Sequence, residues 1–260
     1  MPDFLDTLAR DAKEMVSKGY YEHEVFSPQV SHASLKAAIE RSSLVPIITE
    51  IKAASPSAGT IRKSIAPEKI ALAMAKGGAT GISVLTEPKH FNGSLEYLIK
   101  VRKAVNLPIL MKDFIISPRQ LAAASQMGAN AVLLIQALFD RGYCERRLDE
   151  IIAEAHSRHL EVLLEAHNVD EFHRAVNSDA DLVGINNRNL GTLKVDLNVT
   201  KAILEKNPAN GKVLVSESGI HTPDDVRFLH KCGAKAFLIG SAIMKANDVE
   251  AKVREFAHAN

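Results

Sequence analysis

Several features are scarce in this chain of 260 residues, and each scarcity removes a class of function. Cysteine appears twice, at Cys144 and Cys232. Neither belongs to a Cys-x-x-Cys pair and no zinc-ligand spacing surrounds them, which argues against a thiolate metal centre and leaves two unpaired thiols in a reducing compartment. Long apolar runs are missing. No stretch approaches the ~20 residues that a membrane-spanning helix needs. The N-terminus, Met1-Pro2-Asp3, is acidic and has no apolar core, so it does not read as a secretory signal. Net charge is almost absent, at +1 from 32 basic and 31 acidic side chains. That balance gives no reason to expect nucleic acid or an anionic membrane as partner. No Gly-x-Gly-x-x-Gly follows the first apolar run, which argues against a dinucleotide-binding doubly wound sheet. Histidine is plentiful, with ten residues. None of them makes a His-Glu-x-x-His or facial-triad spacing, so no catalytic metal is expected. No Ser-His-Asp or Cys-His arrangement stands out either. A cytoplasmic protein working on a small molecule is the class that remains.

What the chain does have is a repeating pattern. Apolar residues make up 46% of it, enough for one large α/β core, and no linker-like segment divides it. Eight short apolar runs read as strands: 45–52, 81–86, 108–112, 131–135, 160–165, 181–186, 213–217 and 235–239. Several are continuous rather than alternating, as expected for parallel strands buried on both faces. Helical stretches separate them, at Pro67–Lys76, Leu95–Val105, Pro118–Met127, Cys144–Arg158, Val169–Val176, Asn198–Lys206 and Pro223–Cys232. Gly77-Gly78, Gly128 and Gly233 fall where helix C-cap glycines belong. The spacing predicts a (β/α)8 barrel, the TIM-barrel architecture, as a single domain over 1–260. Residues 1–44 precede the repeat as an N-terminal helical extension. One helix is expected over 4–16 and another from the Ser34 cap.

Most of these runs end in a residue that can do chemistry, and in such a barrel the carboxyl ends of the strands share one face that holds the active site. Glu50 and Lys52 are two apart, so both can point into the mouth. Lys112 ends the third run and Glu165 the fifth, Asn186 and Arg188 flank the end of the sixth, and Glu217 ends the seventh. Lysines and carboxylates together in a low-dielectric mouth supply acids and bases with tunable pKa values; the alternative is a structural ion-pair network. Ser218-Gly219 and Gly240-Ser241 close the seventh and eighth runs, where backbone N–H groups can approach a phosphate; the alternative is that they are only turn glycines. The loop Ala53-Ala54-Ser55-Pro56-Ser57-Ala58-Gly59 can fold over a ligand, with Ser55 among its hydroxyl donors. Phe91, in the loop after the second run, is expected to be exposed. Stacking on an aromatic ligand and packing within a lid are both open to it. Leu85, Leu133, Ile135 and Leu190 are candidates for an apolar wall.

Six stretches, in order and consistently spaced between about Pro46 and Met244, resemble the indole-3-glycerol phosphate synthase family. They are Glu50-Ile-Lys52-Ala-Ala-Ser55-Pro56-Ser57-Ala-Gly59, Ser83-Val-Leu85-Thr86, Phe91-Asn92-Gly93-Ser94-Leu95, Lys112-Asp113-Phe114-Ile115, Gly184-Ile-Asn186-Asn187-Arg188-Asn189-Leu190 and Ser216-Glu217-Ser218-Gly219-Ile220. The resemblance implies a small phosphorylated substrate, 1-(2-carboxyphenylamino)-1-deoxyribulose 5-phosphate. It implies a ring closure that loses CO2 and water in tryptophan biosynthesis, with no cofactor and no metal. It assigns to Lys112 the protonation of the ketone oxygen, and leaves Glu165, Glu50 and Lys52 as the acid and base of the dehydration. Lys52 and Arg188 would steer the carboxylate or the phosphate, while Asn186 and Glu217 would hold hydroxyls or neighbouring groups. Ala54, Gln136 and Ser178 depart from the family's common pattern, and Gln136 is expected to touch the pocket rim. Two other readings exist. Phosphoribosylanthranilate isomerase is a sugar-phosphate barrel too, but it favours a cysteine and aspartate pair, and the first run here has no cysteine. A non-catalytic phosphate-ligand barrel would not need Lys112, Glu165 and Glu50 together.

Overall fold

A computed structural model describes residues 3–22, 33–56, 59–62 and 64–259. Eight parallel strands close into a barrel: Ile47–Ile51, Gly81–Leu85, Ile109–Lys112, Ala131–Ile135, Glu161–Ala166, Leu182–Asn186, Val213–Glu217 and Ala236–Ile239. The eighth strand pairs with the first, with Leu238 opposite Ile48, so no sheet edge is left open. Alternate residues on each strand face inward. Ile48, Leu110, Ala131, Leu133, Leu163, Leu182, Val213, Val215, Ala236 and Leu238 fill the interior. Their neighbours, such as Ile47, Ile51, Val132, Val162 and Phe237, pack outward against the helices. The same parity turns Glu50, Lys112, Glu165, Asn186 and Glu217 inward at the carboxyl ends.

Pro67–Lys76 and Val169–Val176 form helices over the predicted ranges. The helix expected over Cys144–Arg158 is shorter, Leu148–Ser157, because the Glu145 N–H is taken by the carbonyl of Ile116 at 2.8 Å instead of a helical partner. A short helix, Gln136–Asp140, follows the fourth strand and was not expected. Nor was Val249–Ala257, whose Val249, Val253, Phe256 and Ala257 complete the outer layer. The two paired glycines have different duties. Gly78 takes the left-handed conformation, at φ +96°, whereas a Cβ on Gly77 would sit 2.7 Å from Val253 Cβ. Gly77 is therefore needed for close helix packing, and Gly78 for the turn. The loop after the first strand also differs from expectation, since Ala54–Ser55 and Gly59–Thr60 pair as a small antiparallel hairpin. Ser57 and Ala58 lie outside the described residues. Among the described residues no helix is long and apolar enough to cross a membrane.

The N-terminal segment grips both ends of the barrel. The helix Phe4–Ser17 starts in a reciprocal cap: the Asp6 N–H donates to Asp3 and the Asp3 N–H to Asp6. Its apolar face, Leu5, Leu8, Ala9 and Ala12, packs into the same cluster as Phe114, Ile116, Leu133 and Ile135. Each fully buried leucine of that face contributes about 2 kcal/mol. Polar clasps flank it. Arg141 bonds Asp3 and Asp6 at 2.7–2.9 Å, and Lys89 reaches Asp11 and Glu14. The second helix, Leu35–Glu40, plugs the opposite end. Glu161, the first residue of the fifth strand, accepts the N–H groups of Leu35 at 2.7 Å and Lys36 at 3.1 Å, and also the Ser34 hydroxyl. A carboxylate there satisfies orphan donors at a positive helix end. Gly81 leaves the room, since a Cβ on it would lie 2.6 Å from Leu35 Cδ1.

Candidate functional site

Glu50, Lys52, Ser55, Phe91, Lys112, Glu165, Asn186, Arg188, Glu217, Ser218, Gly219, Gly240 and Ser241 line one cavity at the carboxyl-terminal mouth of the barrel. Two ion-pair groups organise it. Lys112 Nζ lies 2.6 Å from Glu217 Oε2 and 3.5 Å from Glu165 Oε2. Lys52 Nζ lies 2.5 Å from Glu50 Oε2. Two glycines on inward positions make these arrangements possible. A Cβ on Gly184 would fall 2.2 Å from Glu217 Oε1, and one on Gly240 would fall 2.3 Å from Glu50 Oε2 and 2.9 Å from Lys52 Nζ. Gly240 is therefore more than a turn glycine: its missing side chain is where the Glu50–Lys52 pair lies.

Burial and charge compete at each ionisable group. Burial pulls the Lys112 ammonium down, but the carboxylates of Glu217, Glu165 and Glu50 outweigh it and hold its pKa above the usual lysine range. Burial pushes Glu165 up, yet Lys112, His167 and Asn186 bring it down to about 2. Glu50 is likewise lowered, burial being outweighed by Lys52 and Lys112. Glu217 goes the other way. Burial, with Glu165 and Glu50 as like charges, pushes it up to about 7 despite Lys112. Its Oε1 is buried and finds no hydrogen-bond partner among the described residues.

The end of the seventh strand is shaped by a buried amide. Asn187 Nδ2 donates to the Glu217 carbonyl at 3.0 Å, the Ser218 carbonyl at 3.1 Å and Ser216 Oγ at 3.0 Å. Thr200 Oγ1 donates to Asn187 Oδ1 at 2.8 Å. Ser218 and Gly219 follow in left-handed conformations, φ +67° and +80°. The side chain of Arg188 turns back on its own loop, with Nη1 on the Leu193 carbonyl at 3.1 Å, while its backbone N–H donates to Asn186 Oδ1.

The expected apolar wall is present: Leu85, Leu133, Ile135 and Leu190 all line the cavity. Phe91 is half-buried rather than exposed, because it packs at 6.0 Å against Phe114. Gln136 does not reach the mouth. It is buried at the start of the short helix, with Nε2 on Asp140 Oδ1 at 2.9 Å. Some lining residues had no assigned role in the sequence reading. Phe4 and Leu8 of the first helix line the cavity; their amphipathic spacing signalled burial but not what they would cover. Phe114 belongs to the Lys112-Asp113-Phe114-Ile115 stretch, and Asn187 lies between Asn186 and Arg188. His167, one of the ten histidines without metal-site spacing, stands behind Glu165 at 3.2 Å. Among the described residues no group of His, Cys, Asp and Glu side chains could hold a metal ion.

The indole-3-glycerol phosphate synthase family model matches residues 6–256. The chain is 42% identical over 258 residues to the indole-3-glycerol phosphate synthase of Lachnospira eligens, covering 98% of this chain and 94% of that protein. It is 46% identical over 213 residues to the enzyme of that name from Methanocaldococcus jannaschii, covering 81% and 77%. Among solved structures, thiamine phosphate pyrophosphorylase from Pyrococcus furiosus superposes with a TM-score of 0.61 over 87% of this chain and 97% of that one. At 18% identity that likeness speaks for the barrel alone.

Proposed function

The chain belongs to the indole-3-glycerol phosphate synthase family, and from that premise we propose how the barrel mouth divides the work of the reaction. The enzyme is a carboxy-lyase of tryptophan biosynthesis. It converts 1-(2-carboxyphenylamino)-1-deoxyribulose 5-phosphate into indole-3-glycerol phosphate, CO2 and water. The observation that carries the assignment is the placement of Lys112 Nζ between Glu217 and Glu165 at the mouth.

In the first step the ring carbon bearing the carboxylate attacks the ketone carbon. The carbonyl electron pair moves to oxygen, and the Lys112 ammonium protonates it. Glu217 aims the ammonium. CO2 then leaves, and its bonding pair returns to the ring. In the second stage the new hydroxyl departs as water with a proton from an acid, and a base removes a proton as the indole forms. Glu165 is the base in this reading. Once Lys112 has given up its proton, Glu165 loses its strongest cationic neighbour and its basicity rises, so the acid step arms the base step. The Glu50–Lys52 pair supplies the acid of the dehydration. Asn186 helps to hold Glu165 ionised.

The phosphate end falls at Ser218, Gly219, Gly240 and Ser241, with Lys52 alongside and Ser55 on the near wall. Arg188 is the cation left for the substrate carboxylate. Phe91 and Phe114 flank the aromatic ring. The cytoplasm, where phosphorylated intermediates are held, is the proposed location.

The test is turnover of the named substrate, followed by the fluorescence of the indole product, with Glu165→Gln and Glu50→Gln in parallel. Glu165→Gln should lose about 10²–10⁴ in kcat. A folded Glu165→Gln protein with parental turnover would remove Glu165 from the base role.

A further inference from the structure

We propose that His167, held as an imidazolium between two carboxylates, is the positioning residue that fixes Glu165 for proton transfer. The inference rests on the reading of Glu165 as the base and adds to it the residue that sets its orientation and charge.

His167 follows the last residue of the fifth strand and lies two positions after Glu165. Its ring is largely buried, with side-chain exposure of 12%. Nε2 lies 3.2 Å from Glu165 Oε1 and Nδ1 lies 3.1 Å from Glu171 Oε2. A neutral imidazole carries one N–H and one acceptor lone pair, so it can donate to only one of two flanking carboxylates and must point a lone pair at the other. The imidazolium has an N–H to offer to each. Nε2 is buried and makes no hydrogen bond among the described residues. It is a donor in reserve for a small turn of the Glu165 carboxylate.

Glu171 is itself held from several sides. Its Oε2 accepts the His167 N–H at 2.8 Å and its Oε1 accepts Asn168 Nδ2 at 2.6 Å. Its own N–H donates at 2.9 Å to Asn168 Oδ1, the N-cap of Val169–Val176. A helix start thus anchors Glu171, Glu171 anchors the ring, and the ring faces one oxygen of Glu165.

The other oxygen of Glu165 faces Lys112, so the carboxylate is shared between two cations with separate duties. Lys112 must give up its proton in the reaction; His167, backed by Glu171, keeps its own. The charged groups acting on this unit are Glu165 on the fifth strand, Glu171 on the following helix and Lys112 on the third strand, with the Asn186 amide beside Glu165. Burial lowers the His167 pKa, but the negative charges of Glu165 and Glu171 on either side of the ring outweigh it and raise it to about 9. The charge is therefore present across neutral pH and is lost on the alkaline side.

The experiment measures pH profiles of kcat and KM for the parent, His167→Asn and Glu171→Gln, with Glu165→Gln as reference. It adds NMR titration of the His167 ring in the parent. Losing a positioning contact should lower kcat about 10- to 100-fold, with KM changed less than three-fold, since His167 does not line the substrate cavity. Glu171→Gln keeps an acceptor but removes the charge, so its alkaline limb should move to lower pH. A merely structural histidine would leave that limb in place. A folded His167→Asn with parental kcat and profile, beside an inactive Glu165→Gln, overturns the positioning role while leaving the base assignment standing. Parental activity in Glu165→Gln overturns the base assignment itself. If His167→Asn does not fold, the NMR titration and Glu171→Gln decide: a ring neutral at pH 7, or an unmoved limb, overturns the proposal.

Discussion

Replacing Lys112 with methionine should separate catalysis from folding in this barrel. The substitution keeps the apolar stem and removes a cation that lies 2.6 Å from Glu217 and 3.5 Å from Glu165. Breaking a buried ion pair from one side ordinarily costs about 3–5 kcal/mol, because the orphaned charge stays buried. Here the orphan has an escape. Glu217 is already pushed up to about 7 with the lysine present. Without the lysine it rises further, so it binds a proton at neutral pH at little cost. Glu165 keeps His167 and Asn186. The loss of stability should therefore be only about 1–2 kcal/mol, or about 2–8 °C in Tm. Turnover should fall by about 10²–10⁴, equivalent to about 3–5 kcal/mol on the barrier. The sign with pH follows. A carboxyl whose folded pKa is raised binds more protons folded than unfolded. Its contribution is full below the unfolded value and is lost as pH rises through the folded one. The variant should thus be relatively more stable at pH 6 than at pH 8. Indole fluorescence for kcat and urea midpoints at both pH values test this. Turnover within ten-fold of the parent would refute Lys112 as the acid. A loss above about 5 kcal/mol at pH 6 would refute the protonation of Glu217.

Gly184→Ala places a methyl 2.2 Å from Glu217 Oε1, so the carboxylate must swing away from Lys112. We expect kcat to fall about 10- to 100-fold with urea midpoints nearly unchanged, because what moves is the end of a side chain. Glu161→Gln weakens the cap on Leu35–Glu40 at the far end of the barrel. It should cost about 1–2 kcal/mol of stability in denaturant titrations and leave kcat at the parental value. For His167, raised from 6.5 to about 9, the folded state holds the extra proton. Parental stability from this group is full below pH 6.5 and is lost as pH rises through about 9, by at most about 3 kcal/mol. The difference between parental and His167→Asn unfolding curves from pH 6.5 to 9.5 should show that decline; a flat difference would count against it.

The barrel was legible because its signal is local. Continuous apolar runs, each followed by an amphipathic stretch and a glycine, allow few other arrangements. Period-two parity then sent Glu50, Lys112, Glu165, Asn186 and Glu217 to the same face as soon as the strands were parallel. Helices such as Pro67–Lys76 were placed correctly because a proline at the first turn and a following glycine mark their ends. Gln136–Asp140 and Val249–Ala257 lay past the last repeat signal or against a strand end, where the pattern carried no boundary.

Contacts between residues distant along the chain had no such local mark. That Phe4 and Leu8 line the mouth, that Glu161 caps Leu35–Glu40 from more than a hundred residues away, and that Gly184 makes room for Glu217 all depend on closure of the barrel. So does the division of Glu165 between Lys112 and His167. Side-chain type and strand parity set which residues point into the mouth, and these are properties of the sequence itself. Which of them touch, and therefore which carboxyl stays ionised and which titrates near neutrality, was decided by tertiary structure. Coulombic and desolvation energies depend on distances of a few ångströms between elements, and no local pattern encodes those distances.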